Sequence, residues 1–165
     1  MQRVFSLLVD NNSGVLSRIS GLFTRRGYNI DSITAGVTAD PRFTRITIVS
    51  SGDEIILSQI EKQIAKLEDV IVVKVLKPEE SVYRELILVK IRANAQQRSE
   101  IVSIADIFRA KIVDAERESL VIELTGTQSK LEAFLQLLDG YEILELARTG
   151  IAGLSRGIKD VTFIE

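Results

Sequence analysis

The strongest constraint on this chain is an order of apolar patterns that occurs twice. In the first half, Arg3–Val9 is rich in β-forming residues. Val15, Leu16, Ile19, Leu22 and Phe23 then recur at helical spacing and stop at Gly27. Ile30–Thr38 returns to strand character, with Ile33, Ala35 and Val37 on one face. Ala39-Asp40-Pro41-Arg42 supplies a turn, and Thr44–Ser50 alternates with Ile46 and Ile48 together. Gly52-Asp53 introduces a second helical stripe of Ile56, Ile60, Ile64 and Leu67, and Val70–Leu76 closes the half as a strand. The second half runs through the same order. Glu85–Ala93 is a strand, and Ile101, Ile104, Ala105 and Phe108 form a stripe. Strands follow at Lys111–Glu116 and Leu120–Thr125. Leu131, Phe134, Leu135 and Leu138 form a second stripe that ends near Gly140, before a strand at Glu142–Ala147.

Two βαββαβ units in tandem make this an α+β chain of two ferredoxin-like domains. The expected boundaries are 1–77 and 84–165, with residues 78–83, beginning Pro78-Glu79-Glu80-Ser81, as the linker. The halves differ in charge. Residues 1–77 carry 10 basic and 8 acidic side chains, whereas residues 78–165 carry 11 and 15. Strands such as Val70-Ile71-Val72-Val73 and Leu86-Ile87-Leu88-Val89 are apolar on both faces. A sheet with helices on one side only should be half polar on the other, so these runs point to a second face covered by a second subunit or another protein.

Two absences narrow the chemistry. The chain has no histidine and no cysteine. Imidazole bases, Ser-His-Asp triads, thiolate nucleophiles and ordinary zinc sites are therefore excluded. A net charge of −2 argues against a general electrostatic grip on nucleic acid or anionic lipid. No apolar run is long enough to span a bilayer, and the start MQRVFSLLVDNN turns polar too early for a signal peptide. The absence of cysteine fits a cytoplasmic setting. Binding, rather than catalysis, is the favoured role.

The stretch Asn11-Asn12-Ser13-Gly14-Val15-Leu16 joins the first strand to the first helix. Asn12 or Ser13 is the expected helix cap, and Gly14 lets another group approach the backbone. Unpaired N–H groups at such a helix start suit a carboxylate or phosphate. The plainer reading is a capped turn, and on pattern alone it outweighs a ligand loop by about three to one. Gly153-Leu154-Ser155-Arg156-Gly157 has the form of a nucleophile elbow, but there is no histidine to serve the serine, so a C-terminal turn is expected. Asp139, Glu142 and Glu145 read as solvated surface, Arg25-Arg26 as cations suited to a helix C-terminus, and Tyr28 and Phe43 as packing residues.

The first unit resembles an ACT domain, a small βαββαβ module that binds amino acids. The stretches NNSGVLSRISGLFTRRGYNIDSITAG, DPRFTRITI, GDEIILSQIEKQIAKL, ELILVKI and ARTGIAGLSRG together resemble the small regulatory subunits of acetolactate synthase, also called acetohydroxyacid synthase. That resemblance implies a non-catalytic protein that pairs with its twin through the ACT domain. It implies activation of a catalytic subunit carrying thiamine diphosphate, Mg and FAD, and feedback inhibition by valine; no cofactor or metal is expected on this chain. The ligand residues it implies are Asn11, Asn12, Ser13, Gly14, Val15 and Leu16, faced by Asn29 and Ile30. The backbone N–H groups of Gly14, Val15 and Leu16 would take the ligand carboxylate, the amides of Asn11 and Asn29 its polar groups, and Val15, Leu16 and Ile30 its side chain. The more acidic second domain is the expected contact for the catalytic subunit. An alternative is a free-standing tandem ACT sensor that controls a transcription factor.

Overall fold

A computed structural model describes residues 1–159 and 161 of the chain. The elements run β1 (Gln2–Asp10), α1 (Val15–Arg26), β2 (Ser32–Val37), β3 (Phe43–Ser51), α2 (Glu54–Ala65) and β4 (Val70–Leu76). After a 3-10 turn at Pro78–Glu80 come β5 (Ser81–Arg92), α3 (Ala95–Ile107), β6 (Lys111–Ala115), β7 (Ser119–Gly126), α4 (Gln128–Leu137), β8 (Ile143–Arg148) and β9 (Ala152–Ser155). The expected doubled βαββαβ order is present.

In the first unit the sheet order is β2-β3-β1-β4, antiparallel at each neighbour, so β2 and β4 are its edges. Phe5, Leu7 and Val9 alternate along β1 onto the face that α1 and α2 cover. They meet Val15, Ile19, Leu22 and Phe23 of α1, Ile46 and Ile48 of β3, and Leu57, Ile60 and Ile64 of α2. The stripe on α2 is thus rotated from the expected one. Leu57 is buried and Ile56 is 37% exposed, because the helix starts at Glu54 under an Asp53 cap and so turns position 57 inward. Tyr28 packs edge-on against Phe23, as a packing residue should.

Residues on the other face of this sheet, Val4, Val49 and Leu76, are also buried, with Ile151 and Tyr83 against them. Part of the expected covering of that face therefore comes from the chain's own later residues. Contacts divide the chain into Met1–Tyr83 with the residues from Ile151 onward, and Arg84–Gly150. By contacts the residues from Ile151 onward group with the first unit, and the expected linker 78–83 forms a 3-10 turn and the start of β5. The Gly153–Gly157 stretch, expected as a turn, begins as strand β9, which pairs with β5. A Cβ on Gly153 would lie 3.0 Å from Leu76 Cδ1 and 3.1 Å from Tyr83 Cδ1. The glycine is there so that the returning strand can lie flat on those side chains.

The second unit orders its strands β6-β7-β5-β8. Ile87, Val89 and Ile91 of β5 and Leu120, Ile122 and Leu124 of β7 pack against Ile101 and Ala105 of α3 and Leu131 and Phe134 of α4. Phe108 and Phe134 meet edge-on inside this core. The last strand starts at Ile143 rather than Glu142. Gly140, at φ 94°, lies in the turn after α4, two positions beyond the C-cap Leu138.

Candidate functional site

The loop between β1 and α1 is held by backbone at both ends. Asp10 N–H donates to the Asp69 carbonyl at 2.9 Å, and Asn11 N–H donates to the Arg42 carbonyl at 2.8 Å. The Asn11 side chain then spans the β2–β3 turn: its Nδ2 donates to the Pro41 carbonyl at 2.9 Å, and its Oδ1 accepts from Thr44 Oγ1 at 3.1 Å. That turn is itself braced. Arg42 pairs with Asp40 at 2.7 Å, and its hydrogen bond and charge hold the Asp40 carboxyl below the usual carboxylate range. The Arg42 guanidinium also lies 5.2 Å from the centre of the Phe43 ring.

Neither Asn12 nor Ser13 caps the helix. The N-cap position is Gly14, at φ 87°, which has no side chain to cap with, and among the described residues no other side chain accepts from the first turn. Left-handed backbone at this position is inexpensive for glycine and is what turns the chain from strand into helix. The first turn carries no acidic residue, so no carboxylate of its own offsets the positive end of the helix and its unpaired N–H groups. Val15 is 4% exposed and anchors the loop in the core, whereas Leu16 is 48% exposed beside it.

Asn29 and Ile30 are elsewhere. The strand they were expected to open starts only at Ser32. The Asn29 carbonyl accepts from Ser50 Oγ, its side chain donates to Asp31, and Ile30 packs against the helix-side core. The loop is tied to Arg42, at one end of β3, and Asn29 to Ser50, at the other. At roughly 3.3 Å per strand residue, the two groups lie about 25 Å apart within one chain. A single copy therefore gathers Asn11, Asn12, Ser13, Gly14, Val15 and Leu16 and leaves Asn29 and Ile30 at the far end of the sheet.

Sequence reasoning missed Arg18, Asp69 and Thr44. Arg18 Nε meets Asp69 Oδ2 at 2.5 Å, and its Nη1 lies 3.1 Å from the place a Cβ on Gly14 would occupy. The helical period that puts residue 18 one turn above the loop was available as a signal. The strand pairing that brings Asp69 and Thr44 there was not. The acidic residues near β8 are paired: Glu142 with Arg92 at 2.8 Å and Glu145 with Lys90 at 2.9 Å. Lys90 holds the Glu145 carboxyl low by hydrogen bond and charge. Among the described residues no cluster of acidic side chains has the makings of a metal site. None of the helices there is long and apolar enough to cross a membrane.

Comparison with known proteins gives a consistent result over most of the chain. The family described as "AHAS small subunit-like ACT domain" matches residues 5–72, and "Small subunit of acetolactate synthase" matches residues 84–157. The probable acetolactate synthase small subunit of Methanothermobacter thermautotrophicus is 48% identical over 93% of this chain and 92% of its own length. The acetolactate synthase isozyme 3 small subunit of Escherichia coli K12 is also 48% identical, over 96% and 98%. The crystal structure of the acetolactate synthase small subunit from Thermotoga maritima superposes with a TM-score of 0.89 at 42% identity, over 96% of this chain and 99% of that one.

Proposed function

The chain belongs to the acetolactate synthase small-subunit family, the regulatory subunits with an ACT domain, and from that premise we propose that it activates a catalytic subunit and makes it sensitive to valine. The catalytic subunit would carry thiamine diphosphate, Mg and FAD, and the pair would work in the cytoplasm. This chain would supply no reacting group. Its part is to bind valine and thereby bias the assembly between two states, which requires a ligand affinity that differs between them. A coupling of about 1–3 kcal/mol is enough for useful control.

The observation that carries the reading is the open start of α1 above Gly14, with no side chain capping it. The separation of Asn29 and Ile30 from this loop supports a site between two copies. β2 is an edge strand, and its Ala35, Gly36 and Val37 are exposed. β2 begins near Val49, at the Asn29 end, and finishes opposite Thr44, at the loop end. If two copies pair their β2 edges antiparallel about a twofold axis, the start of one β2 falls beside the end of the other. Asn29 and Ile30 of one copy then approach the Asn11–Leu16 loop of its partner, which would complete two equivalent sites. Ile33 and Val37 are exposed on this edge strand and would become covered. An aliphatic pocket distinguishes one methylene by only about 1–3 kcal/mol, so leucine and isoleucine should compete with valine. The second unit is the proposed contact for the catalytic subunit. A truncation after Lys77 would not isolate the first unit, because it strips Tyr83 and Ile151 from Val4, Val49 and Leu76.

The test is calorimetric binding of valine to the wild type and to Gly14→Asp, alongside acetolactate formation by the catalytic subunit. The added carboxylate would sit against Arg18 in the ligand's place. Valine should bind the wild type and reverse activation, and both effects should disappear in the variant. Unchanged valine binding by folded Gly14→Asp would sink the site.

A further inference from the structure

Arg18 has a feature that its counterpart in the second unit lacks. Each unit's first helix has an arginine at its fourth residue, Arg18 on α1 and Arg98 on α3. Arg98 spends its guanidinium on the chain itself: Nη2 donates to the Glu116 carbonyl at 2.5 Å and to the Arg117 carbonyl at 2.7 Å. Among the described residues Arg18 is tied through Nε alone, to Asp69. Its Nη1 and Nη2 lie 3.1 and 4.0 Å from the Cβ position of Gly14, and neither has a hydrogen-bond acceptor among the described residues. Asp69 is fixed in turn, since its carbonyl receives the Asp10 N–H at the end of β1. The result is a half-exposed cation, pinned at one edge, whose planar fork of N–H donors crosses the mouth of the loop.

We infer that Arg18, held by Asp69, is the specificity-determining anchor for the ligand's free α-carboxylate, an inference that rests on the amino-acid site proposed above. A guanidinium fork matches a carboxylate in shape and charge, which a backbone N–H pair alone does not. The loop then selects amino acids with a free carboxylate over their amides: the first turn of α1 carries no acid, and Asp69 engages the guanidinium through Nε, leaving the Nη pair to the ligand. Asp69 is a positioning residue: it touches the arginine and not the ligand.

The test measures binding of L-valine and of L-valinamide, which lacks the anionic carboxylate, to the wild type, Arg18→Gln, Arg18→Lys and Asp69→Asn. All are full-length chains whose folding is checked by circular dichroism. Loss of a charge-assisted hydrogen bond should weaken valine about 10- to 100-fold in Arg18→Gln. Valinamide, weak in the wild type, should be unchanged. Arg18→Lys keeps the charge without the fork and should fall between, and it decides the matter if Arg18→Gln fails to fold. Asp69→Asn should lose less than Arg18→Gln. Equal loss of valine and valinamide would overturn the inference, because Arg18 would then shape the loop rather than hold the carboxylate. Wild-type valine affinity in Arg18→Gln would overturn it and leave the amino-acid site standing. A wild type that binds no branched-chain amino acid would overturn the site itself, and this inference with it.

Discussion

The two units share one fold and close the start of their first helix in opposite ways. On α3, Asn94 accepts from Gln97 N–H at 2.8 Å, and the Gln97 side chain accepts from Asn94 N–H at 3.1 Å. That reciprocal cap uses the helix's free donors internally. On α1, Gly14 takes the cap position and leaves them open. The arginine one turn along repeats the contrast, bonded to carbonyls in the second unit and aimed at the loop in the first. A common fold thus offers the same helix end twice, and local side-chain chemistry decides which one remains available to a ligand.

Breaking the caps has the largest expected effect on stability. Asn94→Ala should destabilise the protein by about 1 kcal/mol, because two donors lose their partners. Asn12→Ala and Ser13→Ala should stay within about 0.5 kcal/mol, since neither residue caps α1. Urea unfolding followed by circular dichroism measures all three, and a cost at Ser13 equal to that at Asn94 would erase the distinction.

The ends of these two helices differ as well, with a smaller consequence. The chain leaves α1 through Gly27 at φ 68° but leaves α3 through Arg109 at φ 57°. Left-handed backbone costs an ordinary residue about 1–2 kcal/mol, offset in part by the greater freedom glycine has when unfolded. Arg109→Gly should therefore stabilise by about 0.5 kcal/mol. Gly27→Ala should do the reverse, although its Cβ would meet nothing within 4 Å. Thermal melting of both variants tests the pair.

The smallest effect is that of acid. Asp40 and Glu54 in the first unit, and Glu145 in the second, have carboxyls lowered by hydrogen bonds from Arg42, Arg3 and Lys90. A lowered folded-state value means a contribution present above the ordinary carboxylate range and lost as the pH falls through and below it. These groups lie at the surface, where solvent screens them. Melting temperature should fall slightly between pH 6 and pH 3 (about the range over which carboxylates protonate), and Glu54→Gln and Glu145→Gln should each remove part of that fall. A melting temperature that rises on acidification would contradict the assignment.

The repeated βαββαβ order was legible because each stripe and each alternation is local, and burial follows the period: Ile46 and Ile48 face inward together, as do Leu131 and Phe134. The position of the strand-to-helix loop was legible too, through residues that are neighbours in the chain. What local pattern could not reach was any feature set by distant pairing. The four-residue β9 has too little pattern to be read as a strand, and it exists because Gly153 lets it lie on Leu76 and Tyr83. Asp69 reaches Arg18, and Thr44 reaches Asn11, through strand neighbours far apart in sequence.

The sequence by itself therefore determined the kind of fold, its duplication, the absence of histidine and cysteine chemistry, and where the first strand gives way to the first helix. Those are properties of residue type and spacing along the chain. Only the tertiary structure decided that Gly14 rather than Asn12 or Ser13 sits at the helix start, and that Arg18 is pinned across it. It also decided that Asn29 and Ile30 lie at the other end of the sheet. The physical reason is strand register: residues 42 and 50 are close in the sequence, yet an extended strand carries them to opposite ends of the sheet, and whatever hydrogen-bonds to them goes along.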